Sequence, residues 1–162
     1  MKLKIKDQLP DIEIFHLVDG EPQKSNLREI LGNSKIILFG LPGAFTSTCS
    51  KLHLPGFVAN ADQIKAKGIQ NIFCISANDP YVMNAWGEIN NTGNKIKMLS
   101  DPYLLFTKAI GAEVDRNSKG MGIRSNRYAM VIENLQVINI QVEKETKECG
   151  LTSAESLLNY LQ

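Results

Sequence analysis

The sequence predicts an α/β fold, a central mixed sheet flanked by helices on both faces. Continuous apolar, β-branched runs at Lys35 to Leu41 and Asn71 to Ser76 read as strands covered on both sides. Stretches of helical periodicity alternate with these strands, opened by capping residues or prolines and in places closed by glycine. The chain then ends in two adjacent strands and a last helix, an order that fits a sheet sandwiched between helices.

From the N-terminus, Lys2 to Lys6 alternates lysine with apolar residues as an edge strand would, and Ile12 to Val18 is a second candidate strand. Asp19-Gly20-Glu21-Pro22 reads as a turn. Ser25 then stands before a short helix, Asn26 to Leu31, closed by Gly32. The strand Lys35 to Leu41 follows. Beyond Cys49, Leu52, Leu54, Phe57 and Val58 line one side of a helix, with Pro55 and Gly56 expected to distort it before Gly68 stops it. After the strand Asn71 to Ser76, Asp79-Pro80 opens a helix through Ile89, with proline at a favoured first-turn position. Lys95 to Leu99 is a short strand and Tyr103 to Ile110 a helix, followed by a polar, glycine-rich loop from Gly111 to Ser125. Arg127 to Ile132 and Gln136 to Val142 pair across Glu133-Asn134, and Ser153 to Leu161 closes the chain with Ala154, Leu157, Leu158 and Leu161 inward. No repeat, linker or low-complexity tract interrupts this order. A thioredoxin-like core is the simplest fit, as a single domain over residues 1–162.

Composition narrows the function classes. The chain has 162 residues, 43% hydrophobic and 22% charged, as in an ordinary globular protein. Eighteen Lys and Arg against 17 Asp and Glu leave no field to recruit nucleic acid or an anionic membrane. Charge interrupts Met1 to Asp7 before any apolar core forms, so no secretory signal is expected there. The apolar run near Ile36 to Phe45 is too short to span a bilayer. Three cysteines, Cys49, Cys74 and Cys149, make no secreted disulfide framework. A cytoplasmic location is expected, or an organelle matrix if a transit peptide has been removed.

The chemistry centres on Pro42-Gly43-Ala44-Phe45-Thr46-Ser47-Thr48-Cys49. A strand runs through a Pro-Gly turn and a hydroxyl-rich loop, and delivers a cysteine to the start of a helix. Unpaired N–H groups and the positive end of the helix dipole favour negative charge on sulfur there. Cys49 is therefore the candidate nucleophile, against the bland alternative of a small packed core residue. Thioredoxin-type exchange places Cys-x-x-Cys at such a junction. Here Thr46 occupies the first cysteine's place. A lone thiol beside a hydroxyl suits attack on a small oxygen electrophile.

This stretch resembles the peroxiredoxin signature Pro-x-x-x-Thr-x-x-Cys. Its continuation, Ser50-Lys51-Leu52-His53-Leu54-Pro55-Gly56-Phe57, is similar to the type II, peroxiredoxin-5-like branch. The likeness extends through Asn78-Asp79-Pro80, Trp86-Gly87 and Arg124-Ser125-Asn126-Arg127-Tyr128-Ala129-Met130. The resemblance implies a thiol peroxidase acting on hydrogen peroxide and small alkyl hydroperoxides, with Cys49 as the peroxidatic thiolate that becomes a sulfenic acid. It implies that Thr46 hydrogen-bonds thiolate and peroxide, that Pro42 shields the sulfenate, and that Arg127 holds the charge and polarises the departing oxygen. It further implies a homodimer and recycling by glutaredoxin with glutathione, or by thioredoxin. Ser47 departs from the family's usual proline, so a looser loop is expected.

Rival readings stand beside these. Thr46 also suits an N-cap. Arg124 competes with Arg127, although strand alternation puts positions 127 and 129 on one face. Cys74 lies 25 residues after Cys49, where plant-like type II forms carry a cysteine implicated in resolving the sulfenate. Its apolar surroundings equally suggest packing, and a disulfide needs Cα atoms within roughly 7 Å. A second subgroup resolves from a Gly-Leu-Thr-Cys segment, which here reads Gly150-Leu151-Thr152-Ser153, leaving Cys149 a non-essential surface thiol. Cys49 and His53 sit four apart on a helix, but two ligands are too few for a metal site, and His53 is expected to be structural. No metal or organic cofactor is expected. A disulfide exchanger and a non-cycling redox sensor remain the rival functions.

Overall fold

The computed structural model describes residues 1–162. Seven strands form one mixed sheet in the order β2-β1-β5-β4-β3-β8-β9. Its centre is β3 (Ile36–Gly40), β4 (Asn71–Ser76) and β5 (Lys97–Ser100), which run parallel to one another. On one side β8 (Tyr128–Glu133) and β9 (Gln136–Val142) add antiparallel. On the other, β1 (Glu13–Val18) and β2 (Glu21–Asn26) do the same. Every residue of β3 is buried, as its unbroken apolar run predicts.

Side-chain alternation divides the core in two. Ile37, Phe39, Ile72, Cys74, Ala129 and Val131 face a layer made by α2 (Leu54–Ala66), α3 (Pro80–Ile89) and α5 (Ala154–Tyr160). Ile36, Leu38, Phe73, Ile75, Met130 and Ile132 face α1 (Leu27–Leu31) and α4 (Leu105–Ala109). Helices thus cover both faces, and Cys49 belongs to the first cluster.

The structure corrects several element assignments. Lys2 to Lys6 is not a strand: Asp7 folds back onto Lys4 through N–H bonds of 2.8 and 3.1 Å, and Lys2, Lys4, Ile5 and Lys6 stay exposed. Glu21-Pro22 is not turn but strand. Asp19 and Gly20 alone make the turn, both at positive φ (50° and 84°), the geometry that tight hairpins favour. The polar β2 had no apolar alternation to reveal it, and Pro22 is tolerated because β2 is an edge. Asn26, not Ser25, caps α1, accepting from Arg28 N at 2.9 Å. α4 begins two residues later than expected, with the Asp101 carboxylate accepting from Thr107 N at 2.8 Å. The loop after Gly111 contains a small hairpin, β6 (Glu113–Asp115) with β7 (Ile123–Ser125).

Candidate active site

The site begins where β3 has to stop. A Cβ on Gly40 would lie 2.2 Å from the Tyr128 ring, so only glycine lets β8 cross this closely. The loop that follows is pinned through its backbone. Asn78 Oδ1 accepts from Ala44 N at 2.8 Å, Arg124 Nη1 donates to the Pro42 carbonyl at 3.3 Å, and Thr46 Oγ1 donates to the Gly43 carbonyl at 2.7 Å. Phe45 is held at φ 61° with its ring exposed. That conformation costs a bulky residue about 1–3 kcal/mol, so it persists only where the surroundings enforce it.

The Thr46 carbonyl then accepts the first helical bond, from Ser50 N at 2.9 Å. The next five residues, Cys49–His53, form a wide π turn in which Leu54 N bonds the Cys49 carbonyl. Pro55 gives the reason. It has no N–H to offer, and its ring would strike the carbonyl four residues back in a regular α-helix. Widening the turn relieves both problems, and such bulges are common at functional sites. This is the distortion expected at Pro55, realised just upstream of it.

The turn presents Cys49 and His53 to Arg127, which stands at the head of β8 and is 1% exposed. Arg127 Nη2 donates to Cys49 Sγ at 3.2 Å and to the Thr146 carbonyl at 2.8 Å. Nη1 donates to His53 Nδ1 at 2.9 Å. A buried guanidinium ordinarily needs a carboxylate. Neither of the molecule's two ion pairs, Lys24–Glu13 and Lys147–Glu145, involves Arg127. Of the three acceptors on Arg127, only the sulfur can carry a full negative charge.

His53 completes the cradle. Its Nε2–H donates to the Thr152 carbonyl at 3.0 Å, which fixes the tautomer and leaves Nδ1 as the acceptor facing Arg127. Burial, and then the Arg127 charge, lower its pKa to about 3. His53 is therefore neutral at working pH, packed against Phe39 and Phe57 at ring-centroid distances of 4.9 and 5.6 Å. Both ring nitrogens are engaged, so His53 has no lone pair to lend to a metal alongside Cys49. The loop that supplies Thr146 and Thr152 is held by Glu143, whose Oε1 accepts from Gly150 N, Thr152 N and Thr152 Oγ1 at 2.8 to 3.0 Å.

A cavity of about 80 Å³ opens at this cluster, with Pro42, Thr46, Arg116 and Arg127 in its wall. At roughly 30 Å³ per water, that is room for a molecule of a few heavy atoms. Another cavity, of about 550 Å³ between β1, β5 and α3, includes none of the groups around the sulfur.

Comparisons with known proteins give the family. A family model described as Redoxin matches residues 4–158. Peroxiredoxin-2C of Oryza sativa subsp. japonica is 41% identical over 159 residues, covering 97% of each chain. Reduced Prx3 of Vibrio vulnificus, solved in complex with hydrogen peroxide, is 41% identical, covers 99% of each chain and superposes with a TM-score of 0.93. Peroxiredoxin 5 of Alvinella pompejana is 30% identical over 98% of this chain and 97% of its own, with a TM-score of 0.85. The chain belongs to the peroxiredoxins, in their type II branch.

A peroxiredoxin is a thiol peroxidase, an antioxidant oxidoreductase on a thioredoxin-like fold. In this one, Thr46, Arg127 and Pro42 line one small cavity, and Cys49 lies behind it, its Sγ accepting from Arg127 Nη2. Arg124 and Arg127 divide the labour the sequence left open: Arg127 touches the sulfur, and Arg124 holds the Pro42 backbone. The Thr46 hydroxyl donates to Gly43 O and makes no bond to a helical N–H, so it is not acting as a cap. Cys74 sits fully buried in β4, in register with Phe39 and Met98. Burial, and then the nearby Cys49, push its thiol pKa well up. Cys149 is half-buried, its pKa raised by burial against the pull of Arg127. Asn78, Glu143, Thr146 and Thr152 were missed as site residues. Asn78 lay inside the quoted family likeness, and the two threonines act on Arg127 and His53 through backbone carbonyls, which carry no sequence signal.

Proposed function

We propose that this peroxiredoxin reduces hydrogen peroxide and small alkyl hydroperoxides through a sulfenic acid on Cys49. The buried Arg127 guanidinium, with no carboxylate partner and a hydrogen bond to Cys49 Sγ, is the observation that carries the reading. The thiolate attacks the nearer peroxide oxygen, the O–O bond breaks, and the departing alkoxide or hydroxide takes a proton to leave as alcohol or water. Arg127 balances the sulfur's charge and then the charge developing on the leaving oxygen. The Thr46 hydroxyl, already donating to Gly43 O, offers its lone pairs to a peroxide O–H. Pro42, buried in the cavity wall, keeps bulk water from the sulfenate.

Recycling falls to an external thiol: glutathione with glutaredoxin, or thioredoxin. The full burial of Cys74 within the sheet supports that choice over an internal disulfide. Pairing with a second copy is part of the reading, supported by the exposed Phe45 and Leu52 on either side of Cys49 in the sequence. A reducing compartment, in the first instance the cytoplasm, suits an enzyme recycled by thiols.

Rapid mixing of reduced protein with one equivalent of hydrogen peroxide, quenched by a thiol-blocking reagent and mapped by mass, tests the cycle. One added oxygen on Cys49 with Cys74 free is the expected product. A Cys49–Cys74 disulfide would replace the external-thiol cycle with a two-cysteine one. An unchanged Cys49 would end the peroxidase reading.

A further inference from the structure

A cavity of about 570 Å³ adjoins the peroxide pocket, and the two share Arg116, Thr146 and Lys147 in their walls. Its charged side chains are Arg116, Lys119, Lys144 and Lys147 against Glu113 and Glu145. Lys147 is spent on Glu145 at 2.9 Å. Arg116, Lys119 and Lys144 form no ion pair, and Arg116 Nε is buried without a hydrogen-bond partner. In a chain whose Lys and Arg exceed Asp and Glu by one, three unpaired cations around one concavity that adjoins the Thr46 and Arg127 pocket are a local excess. The volume falls within the roughly 300–1,000 Å³ range of small-molecule sites, well above what a small peroxide needs.

We propose that this cavity binds the carboxylates of a small anionic thiol and directs its sulfur at oxidised Cys49. The inference rests on the sulfenic acid reading above and adds where the reductant sits and which charge it carries. Peroxide and reductant then occupy neighbouring compartments with Arg116 in the shared wall. The thiolate attacks the Cys49 sulfur, an S–S bond forms, the S–O bond breaks, and hydroxide leaves with a proton as water. A second thiol attacks the mixed disulfide, freeing Cys49 and carrying away the two thiols as their disulfide.

Three readings test this. First, titration calorimetry of the reduced protein with tricarballylate, a tricarboxylate without a thiol, reads the site without any redox step. Binding that weakens with salt and is lost in Lys119→Glu/Lys144→Glu is expected, and no binding to the wild type overturns the proposal. Second, oxidised protein is mixed with mercaptosuccinate or neutral 2-mercaptoethanol. The Trp86 signal serves as readout, its Nε1 donating to Ser50 Oγ beside Cys49 at 3.0 Å, and intact mass checks the product. The double variant should slow mercaptosuccinate by roughly tenfold and 2-mercaptoethanol by less than about twofold. Equal slowing of both thiols, or of neither, overturns the proposal. Third, the hydrogen peroxide step should be unchanged in the variant. Slower oxidation by an anionic fatty-acid hydroperoxide, with both thiol steps intact, would assign the cavity to the peroxide instead. If Cys49 never oxidises, the peroxidatic reading fails while the calorimetry still decides the carboxylate site.

Discussion

Cys49 and Cys74 are almost equally cut off from solvent, 1% and 0% exposed, and they belong to the same apolar cluster on the same face of the sheet. Their surroundings differ in one respect that matters. Cys49 starts a widened helical turn and touches a buried guanidinium that lines a cavity; Cys74 is in mid-strand, in register with apolar Phe39 and Met98. Burial alone pushes a thiol toward its neutral, inert form. Cys49 has a guanidinium within hydrogen-bond reach, a partner for negative charge that Cys74 lacks. The position of one arginine, not exposure, is what distinguishes the two thiols in the structure.

The sharpest break of that comparison is to delete each sulfur in turn. Cys49→Ser should reduce peroxide consumption by roughly 10³-fold or more, because a serine hydroxyl is a poor nucleophile without a base. Cys74→Ser should leave the first oxidation of Cys49 within about twofold, since it removes no group that touches the cavity. Stopped-flow peroxide consumption measures both. Comparable losses in the two variants would sink the distinction.

Removing the charge while keeping both thiols is the next largest effect. Arg127→Gln should slow oxidation of Cys49 by about 10²–10³-fold, the usual cost of losing a donor aimed at developing charge. Arg127→Lys should recover only part of it, because a single ammonium cannot bond Cys49, His53 and Thr146 in one plane. Full recovery by lysine would mean that charge alone matters and the fork geometry does not.

The same contrast explains what could be read without a structure. The unbroken apolar character of β3 and the Asp79-Pro80 opening of α3 reflect local rules, and both elements were legible. Cys49, Thr46 and Arg127 were legible as candidates because the motifs that single them out are written in side chains. The polar β2 was not, since it pairs through backbone and covers no core. Nor were Thr146 and Thr152, which bring carbonyls to Arg127 and His53 through a loop whose path is set by Glu143, several residues away in the chain. The π turn was foreseen only as a distortion near Pro55, because the choice between a kink and a wider turn depends on how Cys49 and His53 pack against β8.

His53 extends the comparison to pH. Its pKa is lowered to about 3 in the folded protein, by burial first and by Arg127 second, against roughly 6.5 in an unfolded chain. Between those values the unfolded state binds the extra proton, so stability is intact above about pH 6.5 and falls as pH drops toward 3. The slope attributable to His53 approaches about 1.4 kcal/mol per pH unit. Partly buried His16, also lowered by burial, adds in the same direction. Urea unfolding from pH 7 to pH 4.5 should show this loss, and His53→Gln should flatten it while keeping a donor for Thr152 and an acceptor for Arg127. An unchanged slope in the variant would place the acid sensitivity elsewhere.

The smallest expected effect bears on what Cys74 is for. If it only fills space, Cys74→Ala costs the packing of one sulfur, about 1–2 kcal/mol in urea unfolding. Cys74→Ser should cost as much or more, because its hydroxyl enters an apolar site lacking a partner. Neither change should alter the product that peroxide leaves on Cys49. If Cys74 resolves the sulfenate, the stability costs would be similar but the oxidised product would change from a disulfide to a sulfenic acid that over-oxidises with excess peroxide. Stability reports on the packing and the mass of the oxidised chain reports on the chemistry. The two measurements together separate a thiol kept for its shape from one kept for its reactivity.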